Sequence, residues 1–181
     1  MAEWAEQKAG SPRLDVCTGT GGVARAMARR GGRVVGCDLS PGMLRHARRR
    51  ARAAGFADRA LWVRMDARRI ACRDASFPLV VCAMSLHEMA EEEIRQVLAE
   101  VRRVSSDKVV VADYRHPSAG WRRLLFWFFK VFERLESEDF DGFLSVDLRE
   151  RLEAAGLVVE AHWDTALYRV CPCSVSDGPD P

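Results

Sequence analysis

Apolar residues come along this chain in short runs, each followed by a stretch of helical period. RLDVC (13–17) reads as a strand, and TGGVARAMARR (20–30) after it reads as a helix ended by Gly31-Gly32. RVVGC (33–37) predicts a second strand. Ser40-Pro41 then supplies an N-cap and a first-turn proline for a helix over 41–54, with Gly55 beyond its end. ALWVRM (60–65) is a third strand. LVVCAM (79–84) is a fourth, almost continuous in apolar residues, as burial on both faces requires. AEEEIRQVLAEVRRV (90–104) has its acids in the first turn and its arginines in the last, which suits the helix dipole. KVVVADY (108–114) is a fifth strand.

The last third breaks this rhythm. WRRLLFWFFKVFERLE (121–136) has helical period, but nine of the twelve residues from Trp121 to Phe132 are apolar, too many for one buried stripe. It reads either as a helix packed on the sheet or as one that lines a greasy pocket, meets a membrane surface peripherally or joins a homodimer through 121–132. ESEDFDGF (136–143) reads as an acidic loop. Ser145 is the expected cap of a short helix, VDLRERLEAA, closed by Gly156. LVVEAHW (157–163) and ALYRVCPC (166–173) predict two strands joined at Asp164-Thr165, a link short enough for an antiparallel hairpin. The expected fold is α/β: a doubly wound, mostly parallel seven-stranded Rossmann-like sheet with helices on both faces and an antiparallel C-terminal hairpin. One domain is expected over 1–174, with 175–181 as a tail without regular structure.

Composition narrows the setting. A length of 181 residues suits one domain, and 48% apolar with 30% charged residues suits a globular chain. No apolar run reaches the roughly 18 residues of a membrane span. The start, MAEWAEQKAG, carries acids and no apolar core, so no secretory signal is expected and the expected location is cytoplasmic. A net charge of +2 offers nucleic acid no general field, and a nucleic-acid partner is not expected. The arginines are nevertheless concentrated: RHARRRAR (45–52) falls on one helix, as a solvated face or a patch for RNA or another acidic partner. No aromatic is interleaved with it, which argues against single-strand binding. Six cysteines without CxxC spacing read as buried thiols rather than a metal site; Cys171-Pro172-Cys173 is the one pair that suggests redox or metal chemistry.

LDVCTGTGG (14–22) carries the candidate chemistry. A glycine loop between a strand and a helix N-terminus lets a ligand approach backbone N–H groups, and Gly19-x-Gly21-x-x-Ala24 fits the dinucleotide fingerprint superficially. Asp38, at the end of the second strand, can accept both hydroxyls of a ribose. Asp15 favours a different ligand from NAD. A carboxylate there repels a pyrophosphate but attracts an ammonium, so a zwitterionic amino-acid nucleoside gains where a dinucleotide loses. A purely loop-orienting Asp15 is compatible with the same pattern.

LDVCTGTGG and VVGCDLSPGML (34–44) together resemble the first two motifs of the class I S-adenosylmethionine-dependent methyltransferases. RMDA (64–67) is similar to the segment whose acid meets the adenine, and SLHEM (85–89) to the segment after strand four. The Asp-Val-Cys form of the first motif is nearest the menaquinone and ubiquinone C-methyltransferases, and the likeness is good over about 12–114. It implies S-adenosylmethionine as cofactor and S-adenosylhomocysteine as product. By position, Asp15, Gly19, Thr20 and Gly21, with Cys17 and Thr18 in the same loop, would cradle the methionine end. Asp38 would hold the ribose, Leu39 and Met43 would pack on the adenosine, Asp66 and Ala67 would meet the adenine, and Ser85 would lie under the methionine. The chain departs from the family pattern at Cys17, which replaces a common glycine, and at Pro78, where an acid usually opens strand four. The short lead before the first strand is a third departure.

Methyl transfer from a sulfonium needs alignment and exclusion of water, and a base only where the acceptor still holds its proton. His87, just past strand four, is the candidate base, with a packing histidine as the plainer reading. Tyr114, Arg115 and His116, past strand five, are candidates to touch a small, hydrophobic or lipid-like acceptor. The rival readings are a cofactor-binding or interaction module with a degenerate site, an RNA methyltransferase and an NAD-dependent dehydrogenase.

Overall fold

The computed structural model describes residues 12–115, 140–165 and 167–175. The strands are β1 (Arg13–Val16), β2 (Val34–Asp38), β3 (Ala60–Arg64), β4 (Phe77–Ala83), β5 (Ser105–Tyr114), β6 (Leu157–Val159), β7 (Trp163–Asp164) and β8 (Tyr168–Val175). The helices are α1 (Gly22–Arg29), α2 (Pro41–Ala53), α3 (Glu91–Val104), α4 (Phe140–Ser145) and α5 (Leu148–Ala154). They build the expected doubly wound sheet, in the order β3-β2-β1-β4-β5-β8-β6, with β7 also paired to β8. The pairs from β3 across to β5 are parallel, and β8 is antiparallel to β5, β6 and β7.

Two apolar layers hold the sheet. On one face Ala24, Met27 and Ala28 of α1 and Leu44, Ala47 and Ala51 of α2 close over Val34 and Trp62. On the other, Ile94, Val97, Leu98 and Val101 of α3 and Leu148 and Leu152 of α5 pack on Val80, Val109 and Val111. β4 is buried along six of its seven residues, as its unbroken apolar run predicts.

The prolines fall where a missing N–H does least harm. Pro78 lies at a register shift between Phe77 and Leu79, outside the segment of β4 that pairs with β1. Pro172 lies inside β8, and its carbonyl accepts from the amide of Glu160. Its missing N–H therefore faces 160–162, where the ladder lapses. That lapse splits the single strand expected over 157–163 into β6 and β7. The hairpin is otherwise as expected, though β8 runs on to Val175, into the segment read as tail.

The cap of α5 is a correction. Asp147, not Ser145, stands at its N-terminus, with its carboxylate accepting from the amide of Arg149 at 2.8 Å. Ser145 ends α4 and donates its hydroxyl to the carbonyl of Gly142. Residues 140–143, read as part of an acidic loop, are helical. The aromatic stretch 121–136, His116 and residues 176–181 lie outside the described residues. Among the described residues no helix is long and apolar enough to cross a membrane, and no cluster of His, Cys, Asp and Glu could hold a metal. All six cysteines are free.

Candidate active site

β1 and β4 are neighbours at the point where the strand order reverses, and crevices in open α/β sheets form beyond the carboxyl ends of such strands. Both strand ends leave in left-handed conformations that side-chain-bearing residues seldom adopt: Cys17 has φ 52° and Met84 has φ 58°. Cys17 thus takes the backbone conformation for which a glycine would be the easy choice. Gly19 and Gly21, at φ 53° and 76°, complete the turn. Gly21 has a second reason to lack a side chain, because a Cβ there would come within 2.5 Å of the Trp62 ring.

Two carboxylates shape this loop. Asp15 is buried, and its Oδ2 accepts from the Thr18 hydroxyl at 2.5 Å and from the amide of Ala24 at 2.9 Å. Gly21, the N-cap of α1, has no side chain to offer, and the first turn of α1 has no acid. Asp15 therefore caps α1 from the neighbouring strand. Burial pushes its pKa up from 3.8 to about 6, against the lowering effect of its Thr18 and Ala24 hydrogen bonds. Asp38 holds the loop from the other side: Oδ2 accepts from the amide of Gly19 and Oδ1 from that of Ser40, both at 2.8 Å. The thiol of Cys17 is raised to about 11 by burial and that of Cys37 to about 12, so neither is a thiolate at neutral pH.

The crevice beside the loop has a volume of about 270 Å³. It brings together Cys17, Asp38, Leu39, Asp66, Ala67 and Ser85 of the residues expected from sequence. The other loop residues are placed around it. Asp15 and Thr18 are buried and bonded to each other, Gly21 packs against Trp62, and the Thr20 hydroxyl accepts from Arg50; none of these, nor Gly19 or Met43, lines the crevice itself. Leu39 and Met43 are 52% and 43% exposed. Asp66 receives the Nε and Nη2 of Arg68, which hold its carboxyl below the usual range, and the Nη1 of Arg68 pairs with Glu93 on α3. Arg68 and Glu93 also line the crevice, as do Glu88 and Met89. None of these four was singled out in the sequence, although Glu88 and Met89 sit in SLHEM and Arg68 directly follows RMDA.

Asp113 was missed altogether. It is fully buried at the end of β5, where its Oδ2 accepts from the amides of Ser85 and Leu86. Its Oδ1 meets His87 Nδ1 at 2.7 Å and accepts the amide of Tyr114. The available signal was an acid inside the apolar run VVVADY. A carboxylate only accepts, so Nδ1 is the donor of this pair. His87 is buried, its ring edge-on to Tyr114 at 4.6 Å and to Phe143 at 6.3 Å, with Nε2 3.8 Å from Glu88. Tyr114 and Arg115 line a second cavity of about 210 Å³ with Phe143, Leu148 and Arg169, and the guanidinium of Arg115 is held by Asp164.

Comparison with known proteins identifies the family. The family described as "Methyltransferase domain" matches residues 14–108, just over half of the chain. A ubiquinone/menaquinone biosynthesis C-methyltransferase of Paracoccus denitrificans is 37% identical over 106 residues, which are 58% of this chain and 42% of that protein. A demethylmenaquinone methyltransferase of Thermus thermophilus is 36% identical over 120 residues, 64% of this chain and 53% of that one. The chain thus spans about half the length of the curated relatives it matches. Among solved structures, a geranyl diphosphate methyltransferase in complex with SAM is similar in fold, with a TM-score of 0.69 at 15% identity over 92% of this chain and 78% of that one.

Proposed function

Because the chain belongs to the methyltransferase-domain family, we propose that it transfers a methyl group from S-adenosylmethionine to a small hydrophobic acceptor, of the quinone type that its relatives' names point to. The observation that carries this reading is the use of Asp15. The N-terminus of α1, where a dinucleotide enzyme seats its pyrophosphate, is already capped by a buried carboxylate. A diphosphate there would face an anion, whereas an amino-acid nucleoside brings an ammonium to the same end.

The residues present fit such a nucleoside. Asp38 keeps lone pairs for ribose hydroxyls while two amides fix its orientation. Leu39 and Ala67 offer apolar walls, and Asp66 an acceptor for an exocyclic amine. Cys17 and Ser85 floor the crevice where β1 and β4 part. S-adenosylmethionine, when bound, supplies a methyl group on a sulfonium for in-line displacement. The chain's own part is alignment and dryness, and orientation of this kind is worth roughly 7–11 kcal/mol. Where the acceptor carries a proton, we propose His87 as the base, its buried ring oriented by Asp113 through Nδ1 and placed between the two cavities' lining residues Ser85, Glu88 and Tyr114 without lining either cavity itself.

The test is transfer of labelled methyl from S-adenosylmethionine to lipophilic hydroquinones. Label in the organic phase supports the proposal. Tight uptake of S-adenosylhomocysteine without transfer to any acceptor supports a binding module instead.

A further inference from the structure

One face of the sheet carries charge that the rest of the chain does not share. Residues 22–56, from α1 through α2, hold nine arginines and His46 against a single acid, Asp38. That acid is already engaged by Gly19 and Ser40. With a net charge of only +2 overall, the remainder of the chain is net acidic. Elsewhere arginines meet carboxylates: Arg68 with Asp66 and Glu93, Arg103 with Glu100 and Asp74, Arg151 with Glu91. Among the described residues none of the nine does. Arg48 donates to the carbonyl of Trp62, Arg50 to the Thr20 hydroxyl, and Arg49 meets the ring of His46.

The geometry makes this a surface rather than a run of letters. α1 and α2 lie in one layer over a shared apolar cluster that takes their inward positions. Arg45, Arg49 and Arg52 are exposed at helical spacing along α2, and Arg29 is exposed on α1. Like charges so spaced repel one another, and a polyanion laid across them relieves the repulsion. Among the described residues Phe56 and Trp62 are buried, and Trp163, which lines an apolar cavity with Val23, Met27 and Arg30, is a single exposed ring rather than the series of aromatics that stacks successive bases. The apolar side chains that are exposed nearby, Leu39 and Met43, stand where α2 begins, beside the crevice. Basic helix faces bordered by apolar residues suit an anionic bilayer surface.

We propose that the outer surface of α1 and α2 docks on anionic phospholipid, with headgroup phosphates on the arginines. The choice of a bilayer rests on the proposed lipophilic acceptor, which such a surface would hold beside the crevice. The test is co-sedimentation with vesicles of phosphatidylglycerol and phosphatidylcholine, against phosphatidylcholine alone, at low and high salt. The expected result is binding that needs phosphatidylglycerol, weakens with salt, and falls by about 100-fold when Arg45, Arg49 and Arg52 are all changed to Gln. Circular dichroism and S-adenosylhomocysteine titration of the same samples check that the variant is folded and its cofactor site intact. Indifference to phosphatidylglycerol, or equal binding by the variant, overturns the proposal. So does capture of duplex RNA through the same arginines without vesicle binding. S-adenosylhomocysteine uptake with no vesicle binding overturns docking alone; vesicle binding with no uptake overturns the cofactor reading alone.

Discussion

Asp15 and Asp38 grip one loop from opposite sides: Asp15 takes the Thr18 hydroxyl and the Ala24 amide from below, and Asp38 takes the Gly19 amide from the crevice side at 2.8 Å. The glycine turn is therefore set by two anions before any ligand arrives. A phosphate-binding loop is organised the other way round, with its amides left for the ligand.

This arrangement predicts an unusual pH dependence of stability. Asp15 has a folded pKa of about 6 against 3.8 for an exposed carboxyl, so the folded state binds the proton more tightly than the unfolded chain does. Its contribution is fully present below about pH 4 and is lost as pH rises through about 6. Asp15→Asn keeps an acceptor for Thr18 and Ala24 and removes the charge. Urea unfolding should find the variant more stable than the parent at pH 8, by up to about 3 kcal/mol, and no more stable at pH 4. The variant should also bind S-adenosylhomocysteine at least tenfold more weakly at pH 8. Unchanged affinity would reduce Asp15 to a cap.

His87→Gln separates a base from a packing residue. If His87 takes a proton from the acceptor, turnover should fall by about 100-fold or more while affinity for S-adenosylhomocysteine stays within threefold. The pH–rate profile should lose its acid limb. A fall in melting temperature with turnover intact would make the ring a spacer between Tyr114 and Phe143.

Arg151 is a prediction about the fold alone. The residue is 5% exposed, and its guanidinium joins Glu91 of α3 to the carbonyls of Phe143 and Val146, tying α4 and α5 to α3. Arg151→Met leaves those carbonyls without their donor and should cost about 3–5 kcal/mol in urea unfolding. A loss under about 1 kcal/mol would show that α5 is held by Leu148 and Leu152 instead.

The sheet was legible because a buried strand announces itself by a run of apolar residues, unbroken in β2 to β5 at VVGC, LWV, LVVCA and VVVA and interrupted in β1 only by Asp15. The loop was legible because its turn needs small residues at fixed places. What could not be read were partnerships between residues far apart in sequence. Asp113 looks like the tail of a strand until it is seen to hold Ser85, Leu86 and His87, more than twenty residues upstream. Asp147 outcompeted Ser145 as a cap because Arg169, from β8, also draws its carboxylate into place. Pro172 broke the strand expected over 157–163 through a donor that its neighbour did not find. Each is a hydrogen-bond requirement met or left unmet by tertiary neighbours, which local pattern does not encode.

The most direct measurement is calorimetric titration of the folded chain at pH 8 with S-adenosylhomocysteine and, separately, with NAD. The account predicts saturable uptake of the first and none of the second, since Asp15 occupies the helix end that a pyrophosphate needs. Heat from NAD, or silence from S-adenosylhomocysteine, would contradict it.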